Sequence, residues 1–155
     1  MRVNEVAISR TSGQSTLLVS EHEGWHTIIP EFQQVSDVPR TPVRIAAVSL
    51  DDLLDDYADL SLSDRATRVL IKIDAEGAEL DILMGATQTL RFPSIRGLVI
   101  ECTGGAGIFR ERSKRCIEIL RDAGWTPAVI THNGARPWAP EDMTTQVDIL
   151  ALREK

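Results

Sequence analysis

Three carboxylates crowd one short stretch, LIKIDAEGAELDILMGA at residues 70–86. Asp74 ends an apolar run, and Glu76 and Glu79 follow it. A fourth acid, Glu101, ends a second apolar run, GLVIEC at 97–102. Neighbouring carboxylates act as general bases when burial or a like charge raises their pKa, and as oxygen ligands for Mg²⁺. Asp74, Glu76 and Glu101 are therefore the candidate catalytic set, and the same three could hold a Mg²⁺ ion. Lys72 falls on the strand face of Asp74. A lysine inside an apolar strand needs a partner, so it reads as an ion pair with Asp74 or Glu101, or as a substrate contact. Glu76 and Glu79 also stand where the positive end of a following helix favours acids by about 0.3–1 kcal/mol each, so capping is the alternative role for both.

The remaining chemistry-bearing residues are scattered. His22 and His26 flank Trp25 in an irregular stretch, and that spacing outside a helix is a poor metal signal, which weakens a metal-assisted hydrolase. Trp25 and His26 are candidate substrate contacts, and Trp25 and Trp138 could each stack on a sugar or pack a loop. Cys102 and Cys116 suffice for neither a disulfide framework nor a zinc site. They read as reduced thiols of a cytoplasmic protein. The one glycine cluster, TGGAG at 103–107, follows GLVIEC and reads as a loop.

These residues need elements to hold them. NEVAIS (4–9) and STLLVS (15–20), with the turn signal SGQ between them, predict a hairpin. Residues 21–42 predict a long surface loop, and VRIAAV (43–48) a further strand. Ser49 and Asp52 begin a helix whose apolar face is Leu50, Leu53, Leu54 and Tyr57. VLIKID (69–74) and GLVIEC are near-continuous apolar runs, as strands buried on both faces of a parallel sheet are. A helix over about 77–90 separates them, closed by RFPS. A second helix follows, with Cys116, Ile119, Leu120 and Ala123 on one side and Gly124 as its stop. TPAVIT (126–131) and QVDILAL (146–152) complete the chain. The alternation predicts one α/β domain over 1–155 with a mostly parallel sheet, in which Asp74 and Glu101 converge at one rim.

Composition bounds the partners. A chain of 155 residues with 43% hydrophobic and 26% charged residues can bury a real core. Its net charge of −6 argues against nucleic acid and gives no sign of a membrane-surface face. The first ten residues, MRVNEVAISR, lack the apolar segment of a signal peptide.

LIKIDAEGAELDILMGA followed by LVIEC closely resembles the FkbM family of S-adenosylmethionine-dependent methyltransferases. That family carries a run like I-K-I-D-x-E-G-x-E, a leucine-rich helix with G-A, then a strand ending in glutamate. NEVAISRTSGQSTLLVS, GWHTI and VSLDDLL are similar to its flanking segments. The resemblance implies O-methylation of a hydroxyl on a sugar, lipid or polyketide-type small molecule, with Asp74 and Glu76 bordering the methyl-transfer pocket. It implies a Rossmann-like methyltransferase sheet, mostly parallel with a final antiparallel strand. NEVAIS aligns with the family's third strand, so the fold is expected to be N-terminally truncated, without the glycine-rich turn that holds the cofactor. Weak or absent S-adenosylmethionine binding by the isolated chain follows. A shortened paralogue that binds a partner without catalysis is the competing reading. The truncation would also bare one edge of VLIKID, to be closed by VRIAAV, by the N-terminal hairpin, by a homodimeric copy or by a missing N-terminal segment.

Overall fold

The computed structural model describes residues 3–22, 25–31, 38–55, 57, 62–105 and 107–153. Two sheets carry the chain. The smaller contains β1 (Ala7–Ser9), β2 (Gly13–Ser20) and β3 (Arg40–Ser49) in the order β1-β3-β2. The larger contains β4 (Val69–Ile73), β5 (Ile95–Cys102), β6 (Thr126–Thr131), β7 (Gly134–Pro137) and β8 (Val147–Leu152) in the order β4-β5-β8-β6-β7. Among the described residues three α-helices connect them: α1 (Leu50–Asp55), α2 (Glu79–Met84) and α3 (Ile108–Asp122).

The sequence expectations fail in three places, each for a physical reason. NEVAIS and STLLVS do not form a hairpin: β3 lies between them, parallel to β1 and antiparallel to β2. That use of both β3 edges also removes VRIAAV as a partner for VLIKID, and β4 ends the larger sheet with β5 as its neighbour among the described residues. The sheets are not mostly parallel. Only β1/β3 and β4/β5 pair in parallel, because β8 runs antiparallel to both β5 and β6, and β7 antiparallel to β6. Finally, the helix expected over 77–90 stops at Met84 and resumes as a single 3₁₀ turn, Thr89–Arg91. A side chain at Gly85 would strike the carbonyl oxygen of Ser9, with that of Arg10 2.9 Å away. The Asp51 carboxylate then accepts the amides of Gln88 and Thr89, which would otherwise continue the helix ladder.

The core lies on one face of the larger sheet. Leu98 and Ile100 of β5 and Ile149 of β8 pack against Leu83 and Leu90 and against Ile117 and Leu120 of α3. Alternation along each strand sends the other side chains outward. Leu70, Leu152 and Ile130 are 66%, 49% and 39% exposed. Trp125 fastens the far end of the core: its Nε1 donates to the Leu90 carbonyl at 3.2 Å, and the Arg153 guanidinium lies 4.7 Å above its ring. Gly124, at φ 80°, ends α3 as expected. Among the described residues no helix is long and apolar enough to cross a membrane.

Candidate active site

The turn after β4 is tight. Ala78 N–H bonds the Ala75 carbonyl at 3.0 Å, and the two central residues, Glu76 and Gly77, have φ of 46° and 89°. Positive φ at both positions defines a type I′ geometry, natural for glycine and costly for glutamate. Glu79 holds the loop from below. Its carboxylate accepts the amides of Ala75 at 3.0 Å and Gly77 at 3.1 Å, so it braces the turn before α2 rather than capping the helix, and burial raises its pKa despite those bonds. From above, the buried Thr27 hydroxyl donates to the Glu76 carbonyl at 2.8 Å. Thr27 is itself fixed by paired backbone bonds to Leu18. Sequence reading passed over Thr27; its place in GWHTI was the available signal.

The turn opens on a cleft of about 360 Å³ between the two sheets. Ile8, Leu17 and Ile28 form one wall, and Ile71 and Ile73 of β4 part of the other. Asp74, Glu76, Lys72 and His26 line it, so four predicted site residues meet in one cavity. Lys72 Nζ bonds Asp74 Oδ2 at 2.7 Å, the ion pair read from the sequence, and that carboxylate raises the lysine pKa. His26 Nδ1 accepts the Ser20 amide at 3.0 Å, which puts the proton of the neutral ring on Nε2 and makes it a donor. Trp25 is not among the lining residues. It is 52% exposed, with its ring 6.1 Å from that of His22.

Glu101 stands outside the cleft beside Asp74, because Ile73 pairs with Ile100 in parallel register. Gln146 donates to it. Burial raises its pKa, with Asp74 and Asp148 adding to the rise. Glu76 is also raised, first by burial and then by Glu101, Asp74 and Glu79. These acids sense one another, yet among the described residues no three His, Cys, Asp or Glu side chains gather to hold a metal. The Mg²⁺ triad of Asp74, Glu76 and Glu101 is thus not formed: Glu76 faces the cleft while Glu101 lies outside it. The TGGAG loop turns away as well, with Gly104 pressed against the Thr145 backbone and Gly105 N–H bonded to the Met143 carbonyl at 3.1 Å.

No curated protein and no solved structure matches this chain. The profile of the methyltransferase FkbM domain does, over residues 3–125, a span that contains the small sheet, the cleft, the strained turn and both acid-tipped strands. The chain belongs to the FkbM methyltransferase family.

Proposed function

We infer that the chain methylates a hydroxyl of a sugar-, lipid- or polyketide-type small molecule in the cleft between its two sheets. The observation that carries this reading is Glu76. A carboxylate with no ion pair among the described residues and a raised pKa, held at positive φ on a cavity wall, is badly placed for stability and well placed to take a proton. Glu76 accepts the proton of the acceptor hydroxyl, and the oxygen becomes the nucleophile. His26 Nε2–H donates to the acceptor and orients it. Lys72 pairs with Asp74 and holds its carboxylate in place.

S-adenosylmethionine supplies an electrophilic methyl group on a cationic sulfonium when bound. The cleft fits part of it: Asp74 suits the positive charge, and Ile8, Leu17 and Ile28 suit an aromatic base. No glycine-rich strand-to-helix turn lines the cleft among the described residues, so binding weaker than micromolar is expected. That gap favours a second reading, a non-catalytic paralogue. Strand directions support Rossmann-like descent, since β4, β5 and β6 run one way with β8 inverted between β5 and β6. The two free, buried cysteines support a cytoplasmic setting.

Calorimetric titration with S-adenosylmethionine, paired with a methyl-transfer assay over a panel of hydroxyl acceptors, tests the proposal. Transfer that falls about 10²- to 10⁴-fold in Glu76→Gln supports it. Folded protein that neither binds the cofactor at millimolar concentration nor transfers methyl to any acceptor establishes the non-catalytic reading instead.

A further inference from the structure

The outward face of the larger sheet has opposite charges at its two ends. At one end Glu101 of β5 and Asp148 of β8 pair directly across from each other, beside Asp74, whose charge is already met by Lys72 on the same face. Like charges facing each other across strands are destabilising; burial raises the Glu101 pKa first, and Asp74 and then Asp148 add to the rise. At the other end, Arg65, Arg68, Arg96 and Arg153 line a hollow of about 460 Å³ with Leu152. Among the described residues none of the four is ion-paired to an acid; Arg153 is held on the Trp125 ring and the Leu90 carbonyl, which leaves Arg65, Arg68 and Arg96 to meet a partner. Between the two ends runs an apolar strip of Leu70, Leu152 and Ile130, all exposed, with half-buried Val99 and Leu150. Gly97 contributes to its closeness: with no side chain there, Leu70 and Leu152 lie over the backbone.

We propose that this face is the contact between two copies of the chain, related by a twofold axis lying between the sheets and across the strands. The charges select that axis. A twofold along the strands would stack acid on acid and arginine on arginine. One across them sets the arginines of each copy over the Glu101 and Asp148 of the other, twice, as an isologous interface requires. The distance works: from Arg96 to Glu101 is about 17 Å of strand, farther than a Debye length of about 8 Å, so each end can engage its counterpart independently. The apolar strip would then pack sheet on sheet, about 10 Å apart.

Light scattering behind size exclusion, on the full chain at micromolar concentration and low ionic strength, should read twice 17.1 kDa, with dissociation as salt rises. The double variant Arg65→Glu/Arg68→Glu should be monomeric, and so should Glu101→Lys/Asp148→Lys. Mixed in equal amounts, these two charge-reversed proteins should associate again. Leu70→Asp should break the dimer at any salt, with circular dichroism reporting an unchanged fold. A monomer throughout, a dimer indifferent to the charge reversals, or two reversed variants that stay apart when mixed would each overturn the proposal. So would occupation of the face by another protein with no tendency to self-associate.

Discussion

Asp51 and Glu76 are both acids set next to a strand-to-helix junction, and the fold treats them in opposite ways. Asp51 begins α1 and is surrounded by donors: the amides of Gln88 at 3.0 Å and Thr89 at 2.7 Å, and the Thr87 hydroxyl at 3.0 Å. Burial pushes its pKa up, the donors outweigh burial, and the result lies below the ordinary carboxylate value. Glu76 has burial and three neighbouring acids and is raised. Its backbone is strained where that of Asp51 is helical. An acid that holds structure together is given its donors, while the one proposed as the general base is left expensive.

The largest effect should come from removing the satisfied acid. Asp51→Ala strands two amides and a hydroxyl and frees the loop that leads from α2 to β5. A loss of about 2–3 kcal/mol is expected, seen as a lower midpoint in urea unfolding. Asp51→Asn should recover part of it. The reverse experiment sharpens the contrast: Glu76→Gly removes the positive-φ strain and a poorly solvated carboxylate, and should stabilise by about 1 kcal/mol while abolishing any methyl transfer. Destabilisation by Glu76→Gly would show that the side chain serves the fold.

pH separates the two classes without mutation. Glu76, Glu79 and Glu101 have raised pKa values in the folded state, so what they contribute is fully present below the unfolded glutamate value and is lost as pH rises through the folded ones. Asp51, Asp52 and Asp142 are lowered, so their contribution is present above the unfolded aspartate value and is lost as pH falls through the folded ones. Thermal midpoints should therefore be highest near about pH 4, between the ordinary aspartate and glutamate values of 3.8 and 4.5, and decline on both sides. A midpoint that climbs steadily to pH 8 would contradict this. The smallest effect belongs to Lys72→Ala. Its ion pair with Asp74 is well exposed, so stability should stay within measurement error while cofactor affinity changes.

Local chemistry was legible in the sequence, and long-range order was not. VLIKID and GLVIEC announced themselves as neighbouring parallel strands by their apolar runs, and Asp74 and Glu101 by ending them. Glu79 was readable as an acid of a helix N-terminus, but its hold on the turn before that helix was not. The place of β3 between β1 and β2 was not, because sheet order is decided by packing between segments more than thirty residues apart. The exclusion of Trp25 from the cleft, beside the inclusion of His26, escaped for a simpler reason: one residue along the chain reverses a side chain's direction, and an irregular stretch has no period from which to read it. The stop at Met84 depends on contact with Ser9, some seventy-five residues earlier, which no local pattern records.

That contact gives Gly85 an influence out of proportion to its size. The end of α2 and the chain leaving β1 touch backbone to backbone there, behind the cleft that the two sheets enclose. A single methyl group at this point is a wedge. Gly85→Ala would pry the small sheet away from α2, and with it the wall that carries Ile8 and Leu17, without altering any residue that faces a ligand. A displacement of about 1 Å in positioning groups can cost about a hundredfold in rate. The gauge of the cavity is therefore set by a residue that does not line it, and widening or narrowing it for a different acceptor would begin at its back.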